Sequence, residues 1–385
     1  MVEWKKLGEV CEVLNGFAFK SQEYVPEGIR IIRISDVQSG YLSDKDMVYY
    51  PIDKLPEYKR FLLSEGDIVM SLTGNPGRIA IIPNNRCALN QRVACLRPKS
   101  VNKSYIYYLF NCKEFETIAF ANSTGGAQKN LSTVWLKSYP IPLPSLSEQE
   151  RIVGILDTFT SSIENLKSQI SLRRKQYEHY RDKLLDLEEK PEKDIHSWGE
   201  FCEMIKGNGV QKADFEEEGY GCIHYGQIYT HYGSFTYEVN KFVSKEVFEK
   251  AKKASKGDII MTDTSENVED ICKSVAYLGE EDIAVSNHAL IIKHKQNAKF
   301  LSFSTLTNSF FVQKKKVVFG VKVSGINPKH LAQIKIYLPS LEEQSRIVSI
   351  LDEFEASIKN LEAQLKAREK QYEYYREKLL TFERE

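Results

Sequence analysis

Apolar side chains recur at alternating spacings of four and three along residues 152–187, at Ile152, Leu156, Phe159, Ile163, Leu166, Ile170, Tyr177, Tyr180, Leu184 and Leu187. The stripe returns at Ile347, Leu351, Phe354, Ile358, Leu361, Leu365, Tyr372, Tyr375, Leu379 and Phe382, and arginine interrupts it at the same place in both copies, Arg173 and Arg368. Such spacing is the heptad seam of a coiled coil. A capping signal opens each stripe just after prolines, Ser145 with Glu148 and Ser340 with Glu343, and predicts helix starts near residues 147 and 342. About 42 residues of helix make a rod of roughly 60 Å, and such a rod needs a partner. The four seam tyrosines read as packing between rods rather than as base-stacking platforms. The two arginines predict a polar contact between rods that fixes their register.

The stripes belong to a longer internal repeat. LPSLSEQERIVGILDTFTSSIENLKSQISLRRKQYEHYRDKLL from Leu143 returns as LPSLEEQSRIVSILDEFEASIKNLEAQLKAREKQYEYYREKLL from Leu338. Fainter echoes precede each copy: GEVCEVLNG (Gly8 to Gly16) and GEFCEMIKG (Gly199 to Gly207), EGDIVMSLTG (from Glu65) and KGDIIMTDTS (from Lys256), ALNQRVACLRP (from Ala88) and AVSNHALIIKH (from Ala284). Between these anchors the halves diverge. Short β-branched runs at 29–34, 68–72, 79–82 and 259–261, punctuated by Gly, Asn and Pro, predict strands in an irregular α/β head. The chain therefore divides into a first head (1–142), a first rod (143–190), a second head (191–337) and a second rod (338–385). Equal rods can pair antiparallel within one chain and place two heads at opposite ends about an approximate two-fold axis. Spaced heads suit a long, repetitive ligand such as double-stranded DNA.

Charge sharpens this only locally. The chain balances 53 Lys and Arg against 53 Asp and Glu, so any basic surface must be built by arrangement. The seven cysteines are scattered with no Cys-x-x-Cys pair, which argues against disulfides and structural zinc. His224 and His231 alone do not make a metal site. Without a long apolar run or a basic, apolar start, the expectation is a cytoplasmic protein that does not meet a membrane. Neither Asn-Pro pair continues into the Pro-aromatic loop of an amino-methyltransferase, and no Gly-x-x-x-x-Gly-Lys-Ser/Thr phosphate loop occurs. The chain is expected to have no catalytic residues.

The head-rod-head-rod order, IPLPSLSEQERI and IYLPSLEEQSRI at the rod starts, the Gly-Asp-Ile strands and STGGAQKNLSTVWLKSYPIPLP (from Ser123) together resemble type I restriction-modification specificity subunits over nearly the whole chain. The matching stretch of the second half, VFGVKVSGINPKHLAQIKIYLP, carries Val323, Ser324 and Gly325 in place of Gln128, Lys129 and Asn130. The resemblance implies an α+β chain with two α/β target recognition domains, each followed by a long helix, the two helices forming an intrachain antiparallel coiled coil. It implies that each head reads half of a bipartite, asymmetric DNA target while the rods set the spacing between halves. The implied partners are double-stranded DNA, two methyltransferase (modification) subunits and restriction/translocase subunits. S-adenosylmethionine, ATP and Mg would serve those partners, with no cofactor in this chain. The competing reading is a coiled-coil protein-protein scaffold without DNA specificity.

Base edges are read by paired donors and acceptors, and phosphates by cations, hydroxyls and amides. In the first head the candidates are Arg33 with Asp36, Thr73, Asn75 and Arg78, Asn90 with Gln91 and Arg92, and Gln128 with Lys129. In the second they are His224 with Gln227, Thr262 with Thr264, Asn287 with His288, and Lys322. The Gly74–Arg78 loop should present Arg78 at a domain edge, unless it is a plain hairpin turn. Lys314, Lys315 and Lys316 read as an exposed cluster able to grip phosphate.

Overall fold

The computed structural model describes residues 2–83, 87–126, 129–320 and 324–383. The chain forms two compact units, Met1–Leu166 with Gln364–Glu385, and Lys167–Ala363. In the first unit, β1 (Glu3–Lys6) is followed by β2 (Cys11–Asn15), β3 (Ile29–Ile32), β4 (Tyr49–Tyr50), β5 (Leu62–Leu63), β6 (Ile68–Ser71), β7 (Ile79–Ile81), β8 (Cys87–Leu89) and β9 (Val93–Pro98). Then come α1 (Lys103–Phe110), α2 (Lys113–Ala121), α3 (Thr133–Ser138), β10 (Pro140–Leu143) and the long α4 (Leu146–Leu185), which continues into the second unit. Two four-stranded sheets, ordered β2-β9-β6-β7 and β4-β3-β8-β5, carry the head, and β1 pairs antiparallel with β10.

The second unit repeats the plan. Its elements are β11 (Ile195–Ser197), β12 (Cys202–Lys206), β13 (Tyr220–Ile223), β14 (Phe235–Thr236), β15 (Lys241–Val243), β16 (Lys253–Ala254), β17 (Ile259–Thr262), β18 (Thr264–Ser265), β19 (Ser274–Tyr277), β20 (Ile283–Val285) and β21 (Ala289–His294). After them run α5 (Ala298–Ser304), α6 (Asn308–Val317), β22 (Ser324–Gly325), α7 (Pro328–Leu331), β23 (Lys335–Tyr337) and α8 (Leu341–Leu380). The sheets are ordered β12-β21-β17-β19-β14 and β15-β13-β20-β16, and β11 pairs with β23. Both heads share a parallel pairing, β3 with β8 and β13 with β20, among mainly antiparallel strands, and the second head has a further parallel pairing of β14 with β19.

The repeated Gly-Asp shows why these anchors recur. Asp67 follows a turn at Gly66, accepts the Ser64 amide and pairs with Arg97 of β9; Asp258 likewise accepts Ser255 and pairs with Lys293 of β21. Each ties the start of a central strand to its neighbour. Arg97 and the Ser64 amide together hold the Asp67 carboxyl below its ordinary range, although burial opposes them.

The rods close the cores. Ile152, Val153 and Leu156 of α4 enter the first head's core, where Tyr372, Leu379 and Leu380 of α8 also pack. In the second unit Ile347, Val348 and Leu351 of α8 do the same, with Tyr177, Leu184 and Leu185 of α4. Within each unit the two helices therefore run antiparallel. Leu156, Ile163, Ile170 and Leu351 are buried, whereas Leu166, Phe159, Phe354, Ile358, Leu361 and Leu365 are half-buried, as a two-helix seam allows. Arg173 and Arg368 differ from the polar register contact expected of them. Their guanidinium groups lie 5.8 Å from the Phe354 ring and 5.7 Å from the Phe159 ring. A planar cation desolvates over an aromatic face at lower cost than against apolar side chains. No helix among the described residues is long and apolar enough to cross a membrane.

Candidate nucleic-acid interface

Three chain segments meet at one rim of the first head: the end of β6 with the loop after it, the turn between β8 and β9, and residues 129–131. The Leu72 amide donates to the Arg92 carbonyl (3.0 Å), the Leu131 amide to the Leu72 carbonyl (2.7 Å), and the Gly74 amide to the Lys129 carbonyl (3.0 Å). Thr73 Oγ1 lies 3.1 Å from Asn130 Oδ1. Leu72, Thr73, Gln91, Arg92 and Asn130 line a concavity of about 400 Å³. Gln91 and Arg92 are exposed there.

The second head builds its rim on the same backbone. The Asp263 amide donates to the His288 carbonyl (3.1 Å), the Ile326 amide donates to the Asp263 carbonyl (3.0 Å), and β18 pairs with β22 where Thr73 pairs with Asn130. Different side chains stand on it: Asp263 replaces Leu72, and His288 replaces Arg92. Asp263 is buried, with Lys206 Nζ 3.0 Å from Oδ2 and the exposed His288 ring 4.0 Å from Oδ1. The latter distance exceeds hydrogen-bond reach.

Glycine lets both turns approach. A Cβ at Gly16 would overlap the Asn90 carbonyl, and one at Gly207 the Ser286 carbonyl. The chain there bonds the turn directly, Gln91 N–H to the Phe17 carbonyl at 2.9 Å and Asn208 N–H to the Val285 carbonyl at 3.1 Å.

The expected site residues separate by exposure. Asn75, Gln91, Arg92, Asn287 and His288 face solvent, and half-buried Lys129 lies with its ammonium 5.4 Å from the Phe120 ring. Others bond inward. Asp36 is 1% exposed, caps its own turn through the Arg33 amide and pairs with the Arg33 guanidinium, which also donates to the Asp46 carbonyl at 2.6 Å. Asn90 Oδ1 faces the Arg92 amide. Arg78 donates to Gln38 Oε1 at 2.7 Å, and its loop is the turn of the β6-β7 hairpin. Buried Thr262 donates to the Lys273 carbonyl, and the Thr264 carbonyl accepts Tyr229 Oη. Buried His224 accepts the Gly226 amide, while Gln227 accepts the His224 amide and donates to Asn240. Burial, then Lys212 and His288, push the His224 pKa down. Gln128 and Lys322 lie outside the described residues.

Lys314 departs from the exposed cluster expected of it. It is buried, and its ammonium donates to the Glu269 and Ile271 carbonyls at 2.8 and 2.7 Å, so only Lys315 and Lys316 of the run are exposed. Lys206, Asp263 and Asn130 also stand at the rims, beyond the residues expected there from sequence. The repeat alignment held the signal for them, since they stand opposite Asn15, Leu72 and Gly325.

A sequence profile for the type I restriction modification DNA specificity domain matches residues 1–173 and 192–368. A Haemophilus influenzae protein, provisionally assigned as a type I restriction enzyme specificity subunit, is 27% identical over 99% of this chain and 96% of its own length. The Escherichia coli EcoR124I/EcoR124II specificity subunit is 28% identical over 77% of this chain and 74% of its own. The crystal structure of the type I restriction-modification S subunit from M. genitalium superposes with a TM-score of 0.57 at 17% identity, over 100% of this chain and 97% of that one, and so shares the fold.

Proposed function

This chain belongs to the family of type I restriction modification DNA specificity domains, and from that premise we propose that it is the DNA-reading subunit of a cytoplasmic methyltransferase and endonuclease complex. One observation carries the reading: two rims with the same backbone bonds, one per head, bear different polar side chains. A common frame with changed readers is what two unequal half-sites require.

In this reading Gln91, Arg92 and Asn130 meet the first half-site, and Asn287, His288 and Lys206 the second. Asp36, Thr73, Thr262 and His224 hold the loops. Lys129, Lys315 and Lys316 supply sequence-independent attraction to phosphate. The rods offer the surface on which two modification subunits dock, and restriction subunits join that core. S-adenosylmethionine, ATP and Mg act in those partners, where an adenine is flipped from the duplex and methylated.

The test is a map of methylated adenines in host DNA with the gene present and deleted. Loss of one bipartite motif on deletion is the expected result. An unchanged map, with the protein expressed, overturns the reading and leaves a protein scaffold in its place.

A further inference from the structure

Gln149 lies in the first turn of α4 and is 3% exposed. Its Oε1 accepts the Asn102 amide at 2.9 Å, and its Nε2 donates to the Pro144 carbonyl at 2.8 Å. Asn102 is the residue whose side chain caps α1 of the head. Gln344 repeats this in the second unit: Oε1 accepts the Asn297 amide at 3.0 Å, and Nε2 donates to the Pro339 carbonyl at 2.8 Å. Asn297 in turn caps α5. One buried amide thus bonds a head helix's cap to the threshold of the rod.

A second bond lies eight residues on, about 12 Å along the helix. Asp157 accepts Tyr108 Oη of α1 at 2.6 Å, and Asp352 accepts Lys299 Nζ of α5 at 2.8 Å. Between the two bonds, apolar side chains join rod to head core, Ile152, Val153 and Leu156 in the first unit and Ile347, Val348 and Leu351 in the second. Apolar contact is non-directional and would let a rod pivot; two directional bonds on one rod do not. The glutamines bond chiefly to backbone groups, so the heads can change their side chains without changing the joint.

We propose that Gln149 with Asp157, and Gln344 with Asp352, are positioning residues that fix the angle of each head on its rod, and so determine which separation of DNA half-sites is accepted. The proposal rests on the DNA reading above. It assigns these four residues no contact with DNA.

The test uses the full chain assembled with its modification subunit and the target found by methylation mapping. Competition binding compares the native duplex with duplexes whose spacer is one base pair longer or shorter, and with duplexes whose half-site bases are scrambled. The Q149M/Q344M double variant keeps side-chain length and removes every hydrogen bond of the two amides; Y108F removes only the hydroxyl that Asp157 accepts. We expect discrimination against altered spacers to fall about tenfold in either variant, with discrimination against scrambled half-sites unchanged. Folded variants that keep full spacer discrimination overturn the proposal. So does a parallel loss of both kinds of discrimination, and so does an unmodified complex indifferent to spacer length. Should the double variant not fold, Y108F alone decides by the same criteria. A complex with no preference for any sequence overturns the DNA reading itself, an outcome distinct from these.

Discussion

Phe159 stacks on Tyr375, ring centroids 5.3 Å apart at 27°, and Arg368 covers the Phe159 ring. The repeat reproduces this with Phe354, Tyr180 and Arg173, the rings 5.5 Å apart at 29°. An aromatic pair with a cation on one face has one good alignment, whereas aliphatic seam residues tolerate slippage by a turn. The seam thus carries a register lock in each unit, where the heptad pattern is broken.

Phe159→Ala removes half-buried area and the ring partner together. We expect a loss of about 2 kcal/mol, below the range for a fully buried phenylalanine, and a coupling of about 1 kcal/mol with Tyr375→Ala. A double-mutant cycle in urea measures both, and an additive cycle removes the stacking from the argument.

How much of this was legible follows from period and distance. The rods, their starts within one residue of 146 and 341, and their antiparallel pairing in each unit were written in the seam and the repeat. Strands β3, β6, β7 and β17 are legible because β-branched runs there flank turns, whereas the other strands are too short or too mixed in composition to stand out. Side-chain direction was not legible: Asp36 and Thr262 look like surface polar residues and are buried, because their partners, Arg33 and the Lys273 carbonyl, are set by the folded backbone. Lys314 misled for the same reason, its carbonyl partners lying some forty positions away in sequence.

The rims predict separable defects. Arg92→Ala should relax selectivity at one base pair of the first half-site by about 1–3 kcal/mol and leave the second half-site unchanged. His288→Ala should do the converse. Competition binding with single-base target variants checks both. If Arg92→Ala weakens all sequences equally and lowers the salt slope, Arg92 contacts phosphate and is not a base reader.

Gly16 and Gly207 support the reading turns without contacting DNA in this scheme. Gly16→Ala sets a methyl group against the Asn90 carbonyl and should cost about 1–3 kcal/mol. Thermal unfolding registers that loss, and first-half-site selectivity should suffer more than second. Equal damage to both would separate the turn from reading.

Glu355 gives stability a pH dependence. Burial raises its pKa above the ordinary glutamate value and Asp352 adds to this, while Lys359, the Tyr177 hydroxyl and Lys299 oppose. A carboxyl with a raised folded-state pKa favours folding in its neutral form, so its contribution is fully present below the unfolded value and is lost as pH rises through the folded one. Glu355→Gln keeps an oxygen for the Tyr177 hydroxyl, which donates to Glu355 at 3.3 Å, and cannot ionise. The variant should therefore unfold at a higher temperature than the parent at neutral pH, and the difference should shrink as pH falls toward the ordinary glutamate range. A difference that is constant across that window would mean that ionisation of Glu355 is not what costs stability there.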